Sequence, residues 1–200
     1  MTPPAKPSAA GDLPVLFCAL QAEWAQWLAA EHTQSSGVWL KMAKKDSGIA
    51  SVNYAQALEV ALCFGWIDGQ KKALDAQHWL QKFTRRGARS IWSKVNRDKV
   101  LLLIEQGKMQ PAGHLEIAAA QRDGRWDAAY DSASTAQVPP AFQAALDACP
   151  AAKAFFDTLN SRNRYAMLFR LQTAKKAETR ERNIAKFIDM LTRGESFHIL

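Results

Sequence analysis

The strongest constraint on the fold comes from residues 66–84, where strand-like sequence interrupts a chain that is otherwise largely helical in pattern. Residues 66–74 and 77–84 predict two short strands, and Asp75-Ala76 predicts a tight connection between them. Strands joined by so short a connection pair antiparallel. The chain is therefore expected to combine a small antiparallel sheet with helices.

We take Asp68 to lie opposite Lys82 across this hairpin, which places Trp66 opposite Thr84. A shift of one residue would undo this pairing. A further short strand is expected over residues 38–42, VWLKM, where apolar and other side chains alternate.

Helical periodicity, together with glycine, proline and capping side chains, predicts helices over most of the remaining chain. Ser51, Ser93 and Ser161 are the expected N-caps of three of them. Gly65 is placed to end the second helix. The expected helices cover 19–32, 53–64, 94–106 and 111–122, then begin at Pro139-Pro140, Pro150 and Ser161, and finally run from about 177 to 191.

These elements predict an α+β fold that is predominantly helical, with an N-terminal helical module containing a small antiparallel β-sheet and a C-terminal helical module. Residues 1–14 are rich in proline and alanine, so they are expected to be disordered. The N-terminal module covers residues 15–130. A linker, DSASTAQV, covers residues 131–138, and the C-terminal helical module covers residues 139–194.

Composition and motifs exclude several classes of protein. The three cysteines are far apart and lack CxxC spacing, which indicates reduced thiols and a cytoplasmic protein. No apolar run is long enough for a transmembrane segment or a signal-peptide core. Asp68, Asp75 and His78 supply too few convergent ligands for a metal site, and no phosphate-loop or GxSxG motif occurs. We therefore expect no metal, no cofactor and no catalytic residue of a known type.

The net charge of +7 is concentrated in two basic blocks. Residues 82–99 contain seven basic residues and one acidic residue, and residues 161–193 contain nine basic residues and three acidic residues. Local positive potential attracts anions, so an anionic partner is one interpretation. The alternative is that both blocks are solvated surfaces.

A candidate ligand site follows from the aromatic and basic residues between Phe64 and Asn96. Arginine stacks on aromatic rings and binds carboxylates through two parallel hydrogen bonds. Asp68 is expected to orient an arginine of the site, although Trp66 and Trp79 also suit a core and Ser93 suits an N-cap. The predicted ligand-binding residues are Trp66, Asp68, Arg85, Ser90, Trp92 and Asn96.

A second cationic surface is expected where the last helix begins. Lys175, Lys176 and Arg180 could form an anion-binding edge there. An i,i+4 pair between Glu178 and Arg182 would account for part of this charge without a ligand.

Four segments resemble the YdeI/OmpD-associated family, also called the bacteriocin-protection family. They are NYAQALEVALCFGWIDG (53–69), FTRRGARSIWSKVN (83–96), GKMQPAGHLEIAAA (107–120) and AKKAETRERNIAKFIDMLTRG (174–194). The resemblance spans roughly residues 15–194. It implies a connection with protection against bacteriocins and with an outer-membrane porin, but direct contact with an envelope protein is not expected of a cytoplasmic chain.

The function that follows is a cytoplasmic, non-enzymatic protein that binds an anionic small molecule or peptide at the Arg/Trp site. One alternative is a nucleic-acid-binding protein that uses the two basic blocks. Another is an enzyme of unknown reaction that uses Asp68 as an acid or base.

Overall fold

The computed structural model describes residues 13–198, which form two compact units. The N-terminal unit contains residues 13–90 and 96–126, and the C-terminal unit contains residues 91–95 and 127–198. Of the segment predicted to be disordered, residues 1–12 lie outside the described part of the chain. The two-unit, helix-rich α+β architecture confirms the predicted fold class.

The first part of the chain contains all four strands and four helices of the described residues. In order, these are β1 (Val15–Phe17), α1 (Gln21–Glu31), β2 (Gly37–Ala43), α2 (Tyr54–Cys63), β3 (Trp66–Ala73), β4 (His78–Arg85), α3 (Lys94–Glu105) and α4 (Pro111–Arg122). Four more helices follow: α5 (Pro140–Asp147), α6 (Pro150–Thr158), α7 (Ser161–Gln172) and α8 (Ala177–Thr192). No helix or strand lies between α4 and α5.

The four strands form one sheet in the order β1-β2-β4-β3. The pairs β2–β4 and β3–β4 are antiparallel, as predicted. β1 pairs parallel to β2, with Val15 opposite Trp39, so the sheet is mixed rather than purely antiparallel. Strand β1 was not predicted, because three apolar residues in a row carry no period by which a strand can be recognised.

The predicted pairing in the β3–β4 hairpin is wrong by one residue. Asp68 lies opposite Phe83 rather than Lys82, and Trp66 lies opposite Arg85 rather than Thr84. The register shifts between Asp68 and Lys71, where β3 contains an extra residue relative to β4. Next to the connection the difference is two positions, since Ala73 lies opposite Trp79 and not Gln77, and the extra residue removes one of them. Gly69 was a signal for it in the sequence, because a glycine inside a strand often marks a bulge.

Two predicted helix caps are also corrected. α2 is capped by Asn53, whose side chain accepts a hydrogen bond from the Gln56 backbone N–H at 3.0 Å, instead of by Ser51. Ser51 Oγ instead accepts from the Ala43 backbone N–H at 2.9 Å. α7 is capped by Asn160 rather than Ser161. In both cases an asparagine stands close to the predicted serine, and capping preference alone does not separate them.

The core of the N-terminal unit forms between the sheet and α1 and α2. The rings of Trp24 and Trp27 stack with their centroids 5.3 Å apart, and the ring centroids of Trp24 and of Phe83 in β4 are 5.5 Å apart. Trp66 is fully buried and packs edge-on against Trp27 at 5.8 Å. These rings fix β3 and β4 against α1, and thereby fix the position of the chain that leaves β4.

The C-terminal unit has its own core of aromatic and aliphatic side chains. The ring of Phe142 in α5 packs edge-on against two others. Its centroid lies 5.6 Å from that of Phe156 in α6 and 6.1 Å from that of Phe187 in α8. Phe187 and Leu191 of α8 are buried in this core. An independent core in each unit explains why each one is compact.

Candidate functional site

The guanidinium loop, residues 85–90, leaves the end of β4 as a hydrogen-bonded turn. The Ser90 backbone N–H donates to Gly87 O at 2.9 Å, and the Gly87 backbone N–H donates to Ser90 Oγ at 2.9 Å. At the start of the loop, the Arg86 backbone N–H donates to Gly65 O at 3.0 Å. The turn is therefore held by its own backbone and by the residue that follows α2.

A buried arginine anchors the far end of this loop. Arg125 is 7% exposed, and its Nη1 donates to Ser90 O at 3.0 Å. Its Nε donates to both carboxylate oxygens of Asp123 at 2.8 Å, so its charge is paired. Arg125 was not among the predicted site residues, because it lies 35 positions from Ser90 and no local pattern connects them.

The guanidinium loop presents two arginine side chains to solvent. Arg85 and Arg89 are exposed, whereas Arg86 between them is buried. Arg85 Nη1 donates to Thr33 O at 2.9 Å, which orients the guanidinium group without neutralising it. Among residues 13–198, neither Arg85 nor Arg89 has a carboxylate within ion-pair distance. The loop is thus a rigid turn with two uncompensated, exposed cations.

Asp68 has a different partner from the one predicted. Its Oδ2 accepts a hydrogen bond from the Tyr54 hydroxyl at 2.9 Å, and no ion pair joins it to an arginine among the described residues. Tyr54 is 40% exposed at the start of α2. This pair holds the half-buried carboxylate at the edge of the sheet.

The remaining predicted site residues differ in accessibility. Trp66 lies next to Arg85 across the hairpin but is fully buried, with its Nε1 donating to His32 O at 3.2 Å. Trp92 is 2% exposed and belongs to the C-terminal unit. Asn96 is half-buried in the first turn of α3. The structure brings Trp66, Asp68 and Arg85 together on the neighbouring strands β3 and β4. Ser90 lies at the end of the guanidinium loop, five residues after Arg85.

A second polar surface, the aromatic-lysine face, lies on the side of the sheet opposite α1 and α2. It consists of Phe17, Trp39, Lys41, Lys72 and Lys82, which share one side because opposite residues in paired strands point the same way. Lys72 Nζ lies 4.2 Å from the Trp39 ring centroid, and Lys41 Nζ lies 5.9 Å from that of Phe17. Cation–π contacts therefore hold two of the three lysines over aromatic rings.

No acidic side chain of the four strands lies on the aromatic-lysine face. Their one acidic residue, Asp68, is opposite Phe83, which packs on the helix side of the sheet. Phe17 is 44% exposed, so this face presents an accessible ring as well as cations. The alternation of Trp39 and Lys41 in the predicted strand 38–42 was a sequence signal for this surface, although no site was predicted there.

The predicted cationic edge lies where α8 begins. Lys175, Lys176 and Arg180 are all exposed, and Arg180 Nη2 donates to Ala174 O at 3.1 Å. Glu178 occupies the first turn of the same helix, where it partly offsets this charge. Anion binding by this edge stays a prediction.

Other reactive groups offer little chemistry. Burial raises the pKa of Cys18 and of Cys63 to about 11 each, so both thiols stay protonated and inert near neutral pH.

Among residues 13–198, no group of three or more His, Cys, Asp or Glu side chains is arranged to hold a metal ion. No helix in this part of the chain is both long and apolar enough to cross a membrane.

The two units define a class of protein in which an α+β unit with a small mixed sheet precedes a helical unit. Residues 16–116 match a family described as Domain of unknown function (DUF8412), and since this match covers just over half of the chain, the chain belongs to that family. Residues 135–194 match the family described as Bacteriocin-protection, YdeI or OmpD-Associated, which confirms the resemblance predicted from the sequence. No curated protein and no solved structure matches the chain.

Proposed function

We propose that this chain is a cytoplasmic, non-enzymatic protein that binds an anionic small molecule or peptide at the guanidinium loop. The observation that carries the proposal is the pair of exposed arginines, Arg85 and Arg89, on an anchored turn without a carboxylate partner in the described residues. A role in protection against bacteriocins is suggested by the family that residues 135–194 match.

Rigidity is the main physical support for this proposal. A ligand that binds a mobile arginine must immobilise it, and ordering such a side chain costs about 0.5–1.5 kcal/mol. The bonds from Arg85 to Thr33 and from Arg125 to Ser90 reduce that cost beforehand. A carboxylate or phosphate can then accept parallel hydrogen bonds from the guanidinium edge that faces solvent.

A cytoplasmic location is supported by the chemistry of the thiols. All three cysteines are free, and two of them are buried without a second cysteine beside them. Free thiols of this kind are typical of proteins in reducing compartments.

Calorimetric titration with citrate and with a tetraglutamate peptide tests the site. Arg85→Ala and Arg89→Ala should each weaken binding by about tenfold, which corresponds to one charge-assisted hydrogen-bond pair. Arg122→Ala is the matched control, because Arg122 is an exposed arginine of the same unit at the end of α4. An equal loss in Arg122→Ala would show that only net charge matters and would contradict the proposal.

Variants of the wider predicted site belong in the same titration. Asp68→Asn keeps the size of the side chain and removes its charge, whereas Asn96→Ala removes the amide group; both test whether these residues contribute to binding. Thermal melts of every variant separate lost binding from lost folding. If Arg85→Lys binds as tightly as wild type, binding does not depend on two parallel hydrogen bonds from a planar guanidinium group.

A second candidate function is binding of single-stranded nucleic acid, and the aromatic-lysine face favours it. Sheet surfaces that combine exposed rings with lysines bind unpaired strands, because bases stack on the rings while cations contact phosphates. Phe17 supplies an exposed ring here, and Lys41, Lys72 and Lys82 supply the cations.

Fluorescence anisotropy with labelled oligothymidylate at several salt concentrations distinguishes the two candidates. Lys72→Ala should weaken binding and reduce the slope of log affinity against log salt by about 1, since one phosphate contact is lost. Phe17→Ala should weaken binding at every salt concentration. Lys45→Ala, an exposed lysine outside the sheet, should change neither quantity. The absence of binding at low salt would refute this candidate.

A further inference from the structure

A cavity of about 490 Å³ lies entirely within the C-terminal unit, between the segment that precedes α5 and the helices α6 and α7. Its apolar lining comes from Val138, Phe156, Leu159 and Leu168, with two alanines of the preceding segment, and the rest of its lining is polar. Its volume falls within the range of small-molecule sites, about 300–1,000 Å³. No residue that lines it carries a negative charge.

Arg164 is the one charged residue in the wall of this cavity. Its Nη2 donates to Asp157 O at 2.6 Å, and its guanidinium carbon lies 5.5 Å from the centroid of the Phe156 ring. Its Nε is buried and has no hydrogen-bond partner in the protein. A buried N–H without an acceptor is unfavourable, so an acceptor supplied from the cavity would stabilise this side chain.

The carboxylates near Arg164 are already paired with lysines. The Asp157 side chain accepts from Lys153 Nζ at 2.8 Å, and only its backbone carbonyl reaches Arg164. The Asp131 side chain pairs with Lys94 Nζ at 2.7 Å. The described part of the chain therefore offers Arg164 no counter-charge, which leaves its cation available to an anion that enters the cavity.

Two neutral hydroxyl groups complete the polar side of the cavity. The Tyr165 hydroxyl donates to Asp131 O at 2.8 Å, and burial raises its pKa, so the phenol stays neutral. The hydroxyl of Ser161, at the first position of α7, makes no hydrogen bond to any other described residue. The wall of the cavity thus combines one cation and two neutral hydroxyl groups with aliphatic and aromatic side chains.

We propose that this cavity binds a small molecule that has one carboxylate and an apolar body. The carboxylate accepts hydrogen bonds from Arg164, and the Ser161 hydroxyl, which lines the same cavity, donates another. The apolar body packs against Phe156, Leu159 and Leu168. A monocarboxylate fits better than inorganic phosphate, because a compact dianion would lie against hydrocarbon with a single cation to compensate it.

This site is separate from the guanidinium loop, which belongs to the other compact unit. It does not depend on the function proposed above. Arg164 was part of a basic block in the sequence, but nothing in the sequence distinguished it from Arg162 two positions earlier. Only the contact with Phe156 and the cavity wall single it out.

Hexanoate is a suitable probe, because it combines one carboxylate with a short hydrocarbon chain. Titration of the full chain, followed by calorimetry and by backbone amide NMR, should show saturable binding with shifts at residues 161–168. Hexanamide, which has the same shape without the charge, should bind about tenfold more weakly or worse. Equal binding of hexanoate and hexanamide would overturn the role given to Arg164.

Three variants complete the test. Arg164→Gln should weaken hexanoate binding by about tenfold, whereas Arg162→Gln, at an exposed position of the same helix, should not change it. Ala136 lines the cavity from the segment that precedes α5, so the larger side chain of Ala136→Phe should fill the cavity. This variant should therefore abolish hexanoate binding although Arg164 is unchanged. If Arg164→Gln fails to fold, Ala136→Phe and the hexanamide comparison still decide the outcome. Unchanged hexanoate affinity in Ala136→Phe, or no binding to wild type, would refute the proposal.

Discussion

Replacing Gly113 with alanine should destabilise the N-terminal unit, although alanine is the better helix former. Gly113 is buried in α4, where that helix crosses the end of α2. A methyl group at this position would lie 2.4 Å from Cys63 O and 2.3 Å from Met109 Sδ. The methionine side chain can move, but the Cys63 carbonyl is backbone and accepts a hydrogen bond from the Gln110 N–H at 3.1 Å.

The size of the effect follows from two opposing contributions. Alanine in place of glycine stabilises a helix by about 1 kcal/mol. Overpacking costs typically about 1–3 kcal/mol, and a contact with fixed backbone falls at the upper end of that range. The net loss in free energy of unfolding is therefore expected to be about 2 kcal/mol. With a urea dependence of about 2 kcal/mol per molar, the unfolding midpoint should fall by about 1 M.

Tryptophan fluorescence during urea denaturation is the appropriate assay. Six of the seven tryptophans, all except Trp92, belong to the N-terminal unit, so the signal reports on its unfolding. His114→Ala is the control, because His114 is exposed on the same helix and the change should alter stability by less than about 0.7 kcal/mol. If Gly113→Ala were as stable as wild type or more so, the close approach of α4 to Cys63 would be refuted.

Three further results are expected. Asn53→Ala should lower the stability of the N-terminal unit by about 1 kcal/mol in the same urea assay, since α2 loses its N-cap; no change would mean that the cap is unimportant. Phe142→Ala should cost about 3–5 kcal/mol in thermal melts of the C-terminal unit, and a cost under about 1 kcal/mol would contradict its central position. The Thr192 hydroxyl and the backbone amides of Ala152 and Ala151 lower the pKa of Cys149, so its thiolate persists to lower pH than an ordinary thiol. Iodoacetamide should therefore label Cys149 at lower pH in wild type than in Thr192→Val, and coincident pH profiles would contradict this.

Helix positions were largely predictable because their signals are local. Pro111 begins α4 and Pro150 begins α6, as predicted, because proline suits the first turn of a helix. Gly65 ends α2 with a φ of 72°, a backbone conformation that glycine adopts without strain. The caps at Asn53 and Asn160 were each missed by one or two residues, because several polar side chains near a helix start have similar capping preferences.

The candidate site was less predictable than the helices. The sequence indicated a region rich in arginine and tryptophan, and Arg85 and Ser90 do lie on one turn. It could not show that Arg125 anchors this turn or that Tyr54 binds Asp68. Those contacts join residues far apart in the chain, and they depend on how the helices pack against the sheet.

By itself, the sequence determined that this chain folds as a helix-rich α+β protein and that its last helices resemble the bacteriocin-protection family, whose model matches residues 135–194. Periodicity, capping and charge are local properties, so they can be found without a structure. The tertiary structure decided which charges are exposed and uncompensated. Burial of Arg86 beside exposed Arg85, and the unpartnered Nε of Arg164 in a cavity, arise only when distant segments pack together and exclude water.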